Sequence, residues 1–200
     1  MQINLNIAFF ASHGGSNMQA IIDAIKENKL NAKASCVISN NSNSTALERA
    51  KKENIPAYHI SSKTHPEHQE YVRQIIKLLE ENNVNIIVLA GFMKKLPAEI
   101  INFVDGRVLN IHPALLPKFG GEGMFGINVH KAVIESGEKI SGATVHLVDS
   151  EYDRGRILNQ ITVEVLVNDT AESLAERVLK VEHQIYTDTL VKISNGEIVI

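Results

Sequence analysis

Short apolar runs and stretches of helical period alternate along the first half of the chain. Ile3 to Ala11, Ala34 to Ser39, Asn85 to Ala90 and Arg107 to Ile111 are rich in Ile and Val and carry almost no charge, which predicts four strands. Between them, Met18, Ile21, Ile22 and Ile25 recur at i, i+3, i+4 and i+7, as do Val72, Ile75, Ile76 and Leu79, so each set lines one face of a helix. Strands that are apolar along their whole length suit a parallel sheet covered on both faces, and the short Ala57 to Ile60 fits an edge or linker strand. After Gly142 the pattern changes. ATVHLVDS and RILNQITVEV predict two longer strands in an antiparallel hairpin that turns around Tyr152 to Gly155. Asp169 and Glu172 open a last helix, with Leu174, Val178, Val181 and Ile185 on its apolar face. The expected fold is α/β: a doubly wound, mostly parallel sheet with a C-terminal antiparallel hairpin and a terminal helix. It is expected to form a single domain over residues 1–200, without repeats or linkers.

Composition narrows the function. A chain of 200 residues with 44% hydrophobic content is long enough to bury a core of this kind. A net charge of −3, with Lys and Arg scattered rather than striped, argues against nucleic acid as a partner. No apolar run approaches the roughly 18 residues that span a bilayer, and the first residues lack the basic region of a secretory signal. Cys36 is the only cysteine, which excludes an intrachain disulfide and fits a reducing, cytoplasmic setting. A small-molecule substrate is expected, acted on by a monomer or homodimer.

In open α/β sheets ligands collect beyond the carboxyl ends of the parallel strands, which draws attention to three loops. In SHGGSN, Gly14 and Gly15 can adopt positive φ and turn bare N–H groups toward an anion at a helix start, with Ser16 and Asn17 as further donors. The plainer alternative is that Ser16 or Asn17 caps the helix. The spacing is not G-x-G-x-x-G, no acidic residue follows the second strand, and no G-K-[ST] is present, so a phosphomonoester fits better than a dinucleotide. In GFMKKLP, Phe92, Met93 and Leu96 either complete the core, which is the commoner use of such residues, or line a slot for a flat ligand.

In NIHPALLPKF, Asn110 and His112 stand at a strand end, stiffened by Pro113 and anchored by Leu115 and Leu116. An amide and an imidazole held this rigidly can polarise a carbonyl and stabilise an oxyanion. A lone strand-end His is more often a structural residue bonded to backbone. A catalytic imidazole needs a carboxylate nearby to stay charged, and Asp149, Glu151 and Asp153 all qualify. His130, His146 and His183 are too dispersed for a zinc motif, and no metal is expected.

ASHGGSNMQAII, VLAGFMKKL, NIHPALLPKF, GATVHLVDSEYDRGRIL and VEHQIY occur in the order and spacing of the folate-dependent glycinamide ribonucleotide formyltransferases, and the chain resembles that family from Ile3 to Ile185. The resemblance implies formyl transfer from 10-formyltetrahydrofolate to the amine of 5′-phosphoribosylglycinamide in purine biosynthesis, with residues 1–111 as the phosphate-binding half and 112–200 as the folate and catalytic half. Gly15, Ser16 and Asn17 match the family's substrate-phosphate loop. Leu179, Lys180, Val181 and Glu182 match a further substrate segment, in which Glu182 corresponds to the residue holding the ribose hydroxyls. Met93, Lys94, Lys95 and Leu96 match the stretch bordering the folate, and Asp149, Ser150, Glu151, Tyr152 and Asp153 match the loop around its pterin. The resemblance thereby reverses the core preference for GFMKKLP and selects Asp153 as the partner of His112, beside Asn110.

Three positions depart from the family pattern. His68 stands where many relatives carry an Arg that contacts the folate tail, Lys94 replaces a more frequent Arg, and the stretch from Gly120 to Asn128 is longer than the usual turn. Three Gly within four positions, around Glu122, fit either a closing loop or a plain insertion. Formyltetrahydrofolate deformylase shares the Asn, His and Asp set but usually adds an N-terminal regulatory domain, whereas this chain begins at its first strand. Methionyl-tRNA formyltransferase needs a C-terminal RNA-binding domain. Formylation of another amine and a non-catalytic phosphometabolite-binding module complete the alternatives, and the last would not need the set intact.

Overall fold

The computed structural model describes residues 4–200, so the expected strand start at Ile3 lies outside the described residues. Strand β1 (Leu5–Phe10) shows why the sheet is two-sided. Ile7 and Phe9 enter one apolar cluster, Ala8 and Phe10 enter another, and all four are fully buried. Successive side chains of a strand point to opposite faces, so a run without polar interruptions needs cover on both. The cover comes from α1 (Ser16–Lys26), α2 (Thr45–Lys52) and α6 (Ala171–Ser194) around the first cluster, and from α3 (His68–Glu81) and α4 (Ala98–Phe103) around the second.

The remaining elements are β2 (Ala32–Ser39), β3 (Ala57–His59), β4 (Ile86–Leu89), β5 (Val108–His112), α5 (Ile127–Glu135), β6 (Ile140–Leu147) and β7 (Ile157–Glu164). The seven strands lie in the order β3-β2-β1-β4-β5-β6-β7. The first five are parallel and the last two antiparallel. Strand order reverses between β1 and β4, and at such a switch the flanking loops part to leave a crevice. The loops after β1, β4 and β5 are therefore neighbours at one edge of the sheet.

Some boundaries differ from the sequence expectation. Strand β6 starts at Ile140 rather than Ala143, because Ile140, Ser141 and Gly142 already pair with Glu164, Val163 and Thr162 of β7; a Cβ on Gly142 would stand 2.0 Å from the carbonyl of Ile161. Helix α6 is capped by Thr170, whose side chain accepts the Ser173 N–H while the Ser173 hydroxyl accepts the Thr170 N–H. Asp169, expected to open this helix, instead binds Arg177 at 2.6 Å and accepts the Ser173 hydroxyl at 2.8 Å. Helices α2, α4 and α5 are short: α2 buries Ala46, Leu47 and Ala50 among charged residues, α4 has six residues, and α5 emerges from the Gly-rich stretch. No helix among the described residues is long and apolar enough to cross a membrane.

Candidate active site

Asn110 and His112 sit two residues apart on β5, so their side chains leave the same face of the strand at the open edge of the sheet. The turn that follows is clamped from below: Thr144 accepts the Leu116 N–H at 3.1 Å and donates to the Ala114 carbonyl at 2.6 Å. His112 is 3% exposed. Its Nε2 lies 2.7 Å from the Phe119 carbonyl, and Nδ1 lies 3.5 Å from Asp153 Oδ2. A carbonyl can only accept, so Nε2 carries the first proton and any second proton resides on Nδ1, beside the carboxylate.

Asp153 is held by the turn between β6 and β7 in a left-handed conformation, φ 56°. Its Oδ2 also accepts the Gly121 N–H at 3.0 Å, and Oδ1 lies 3.5 Å from His146 Nε2. His146, directly opposite Asn110 in the β5–β6 register, closes the arrangement with Nε2 3.2 Å from Asn110 Nδ2. Its Nδ1 points at the Leu147 carbonyl at 2.8 Å, so its Nε2 stands between the Asn110 amide and the Asp153 carboxylate. Asn110, His146, Asp153 and His112 thus form one polar chain. His146 belongs to it, and composition offered no sign of that, because the link is made by strand register.

Burial lowers the pKa of His112, while the Asp153 carboxylate and the Phe119 carbonyl pull it upward without overcoming the burial. Asp153 thus opposes the burial of the ring without outweighing it. The Asp153 carboxyl titrates below its usual range: burial works against this, and His146, His112 and the Gly121 N–H outweigh it.

A cavity of about 430 Å³ opens over this chain and is lined by Asn17, Met93, Asn110, His112, Asp153 and Glu182, with residues 121–126 along its rim. Opposite the polar chain, Asn17 Nδ2 donates to Glu182 Oε2 at 2.7 Å, and both residues are at least nine-tenths buried. Burial pushes the Glu182 carboxyl up to about 7 against the opposing bond from Asn17. Asn17 Oδ1 has no hydrogen-bond partner among the described residues. Gly15 stands at φ 65° as the residue before α1, and no side chain caps that helix, so neither Ser16 nor Asn17 acts as its cap. Gly15 and Ser16 lie at the helix start rather than in the cavity wall. Of residues 179–182 only Glu182 reaches the cavity; Leu179 and Lys180 are exposed and Val181 is half-buried against the core.

The stretch bordering the cavity divides by residue. Leu96 is buried in the second cluster and Phe92 packs edge-on against Phe10, whereas Met93 is 42% exposed. Lys94, Lys95 and Leu96 meet Asp149, Glu151, Tyr152 and Asp153 around a smaller recess of about 70 Å³ that adjoins Asn110 and His146. Lys95 stands 5.8 Å from the centre of the Tyr152 ring. Ser150 lies outside that recess, in a broad cleft of about 1180 Å³ together with His68, which pairs with Glu99 at 3.4 Å. Lys94 borders all three spaces. Among the described residues no group of three or more His, Cys, Asp or Glu side chains is arranged to hold a metal ion.

Residues 5–190 match the formyl transferase family. The chain is 40% identical over 185 residues to a phosphoribosylglycinamide formyltransferase, chloroplastic, of Arabidopsis thaliana, covering 92% of this chain and 63% of that protein. It is 36% identical over 192 residues to the human trifunctional purine biosynthetic protein adenosine-3, covering 96% of this chain and 18% of that one. This chain thus spans about three fifths of the length of the plant relative. Among solved structures, glycinamide ribonucleotide transformylase 1 from Symbiobacterium toebii superposes with a TM-score of 0.90 at 33% identity, covering 100% of this chain and 91% of that one. A formyltetrahydrofolate deformylase from Pseudomonas syringae has the same fold, with a TM-score of 0.86 at 23% identity over 100% of this chain and 64% of the other.

Proposed function

The chain belongs to the formyl transferase family, and from that premise we propose that it transfers the formyl group of 10-formyltetrahydrofolate to the amine of 5′-phosphoribosylglycinamide. The carrying observation is the convergence of Asn110, His112 and Asp153 on one cavity whose opposite wall holds Asn17 and Glu182. One side of the space has the groups that stabilise a developing oxyanion, and the other has a carboxylate suited to ribose hydroxyls. The start of α1, with Gly15, Ser16 and Asn17, takes the phosphate. Residues 93–96 and 149–153 border the pterin, and Lys94 and His68 lie along the path of the folate tail.

In this reading the substrate amine attacks the formyl carbon and negative charge gathers on the formyl oxygen. Asn110, oriented by His146, offers an amide N–H to that oxygen. His112 Nε2 is committed to Phe119, so the ring answers through Nδ1. Burial leaves the ring short of its second proton at rest. An oxyanion beside it and Asp153 beyond it both favour the charged ring, so Nδ1 takes up the proton the attacking amine releases, directly or through a water. That proton then leaves with the tetrahydrofolate nitrogen as the carbon–nitrogen bond breaks.

Incubating the protein with 10-formyltetrahydrofolate, with and without 5′-phosphoribosylglycinamide, and following tetrahydrofolate release tests the proposal. Release only with the amine is expected. Release at the same rate without it would identify a hydrolase and overturn the transferase reading.

A further inference from the structure

Helix α2 packs its first turn against the loop between β1 and α1. The Ala46 N–H donates to the His13 carbonyl at 3.0 Å, and the Arg49 Nε donates to the Gly14 carbonyl at 3.0 Å. Gly15 lies so close that a Cβ on it would stand 2.9 Å from the Cβ of Ala46. In a trans peptide the N–H and C=O point in opposite directions. Drawing the carbonyls of residues 13 and 14 toward α2 therefore turns the N–H groups of Gly14 and Gly15 away from it, on the side where α1 begins without a side-chain cap. Arg49 is half-buried, and among the described residues its terminal guanidinium nitrogens make no hydrogen bond. It is also near the other wall of the site: after burial, its charge is the second influence holding His183 below the ordinary imidazole range, and His183 follows Glu182 directly.

Resting on the reading of this loop as the phosphate seat, we propose that Arg49 is the positioning residue of that seat. It fixes the peptide that presents the Gly15 N–H to the phosphomonoester and sets a permanent positive charge beside it. Ala46 and Gly15 give the contact its tight geometry, and Arg49 gives it polarity. The planar guanidinium allows one nitrogen to hold the carbonyl while others face an anion, which a lysine ammonium does less well.

The test uses the full chain and its Arg49→Ala and Arg49→Lys variants. KM for 5′-phosphoribosylglycinamide is measured at saturating 10-formyltetrahydrofolate, together with the inhibition constant of inorganic phosphate. Loss of a charge-assisted hydrogen bond predicts that Arg49→Ala raises KM for the amine about tenfold or more. The phosphate inhibition constant is expected to rise in parallel, with kcat within about threefold and KM for the folate unchanged. Arg49→Lys recovers part of the loss. Unchanged values for amine and phosphate overturn the proposal, and so does a joint loss for both substrates with a lower unfolding temperature, which would mark a merely structural role. The failure of the formyl-transfer reading is separable. If the parent does not use this amine but inorganic phosphate raises its unfolding temperature, and does so less in Arg49→Ala, the seat stands without that substrate. A parent that neither turns over nor responds to phosphate overturns both.

Discussion

His112 is set by two acceptors of different kinds, a carbonyl that fixes where its first proton sits and a carboxylate beside Nδ1, where a second proton would reside. Replacing it with Ala removes the ring and leaves Asn110 as donor. The expected loss is about 2.7–4 kcal/mol of transition-state stabilisation, the range for a deleted oxyanion donor. It should appear in kcat with KM largely retained, and turnover equal to the parent would remove His112 from the chemistry. Glu182 makes a second prediction, about pH. Its carboxyl is raised from 4.5 to about 7 by burial, so the folded protein binds a proton that the unfolded chain has already released. The resulting stability is fully present below about pH 4.5 and is lost as pH rises through 7. Glu182→Gln keeps the shape and removes the charge. Without ligand, this variant should unfold at a higher temperature than the parent at pH 8 and show little difference at pH 5. A gap of the same size at both values would mean that charge burial is not the cause.

At the scale of elements, the site depends on β5 and β6 being paired in one register. Asn110 faces His146 only because Leu109 pairs with Leu147 and His112 with Thr144, and a slip by one residue would turn His146 to the other face. On the other side of β6, Gly142 admits β7 at close range. Helix α6 supplies Glu182 from its middle, so its position matters to the site even though its start is distant. Its capping box closes the first turn, with Asp169 and Arg177 as a brace behind it. Thr170→Ala should lower stability by about 0.5–2 kcal/mol, the usual range for a lost N-cap, when measured by denaturant unfolding. Formyl transfer at saturating substrates should persist, and its abolition with the fold intact would show that the cap does more than anchor the helix.

Across the whole molecule, the last helix is tied to the central strands of the sheet. Tyr186 on α6 is fully buried and its hydroxyl reaches the carbonyls of Leu89 on β4 and Leu109 on β5, at 3.1 and 2.9 Å. This tie holds α6, and Glu182 one turn before Tyr186, over the crevice. Tyr186→Phe keeps the ring and removes the hydroxyl, at an expected cost of about 1–3 kcal/mol for buried groups left without a partner. Because Glu182 would be less firmly placed, KM for the amine substrate should rise while KM for the folate holds. A change in the folate constant alone would place the effect elsewhere.

By itself the sequence determined the alternating order of strands and helices, the parallel character of the central strands and the three loops at their carboxyl ends. Each of these is local: apolar period, strand composition and turn residues act within a few positions of one another. The same holds for the stiff mount of Asn110 and His112, written in Pro113 and the apolar residues after it. Asp153 was one acid among three by composition, and only the resemblance to known formyltransferases singled it out. Tertiary structure alone decided that His146 joins Asn110 to Asp153, that Leu96 is core while Met93 faces the cavity, and that Arg49 grips the loop before α1. Those outcomes follow from strand register and helix packing between segments far apart in the chain, which no local pattern of residues encodes.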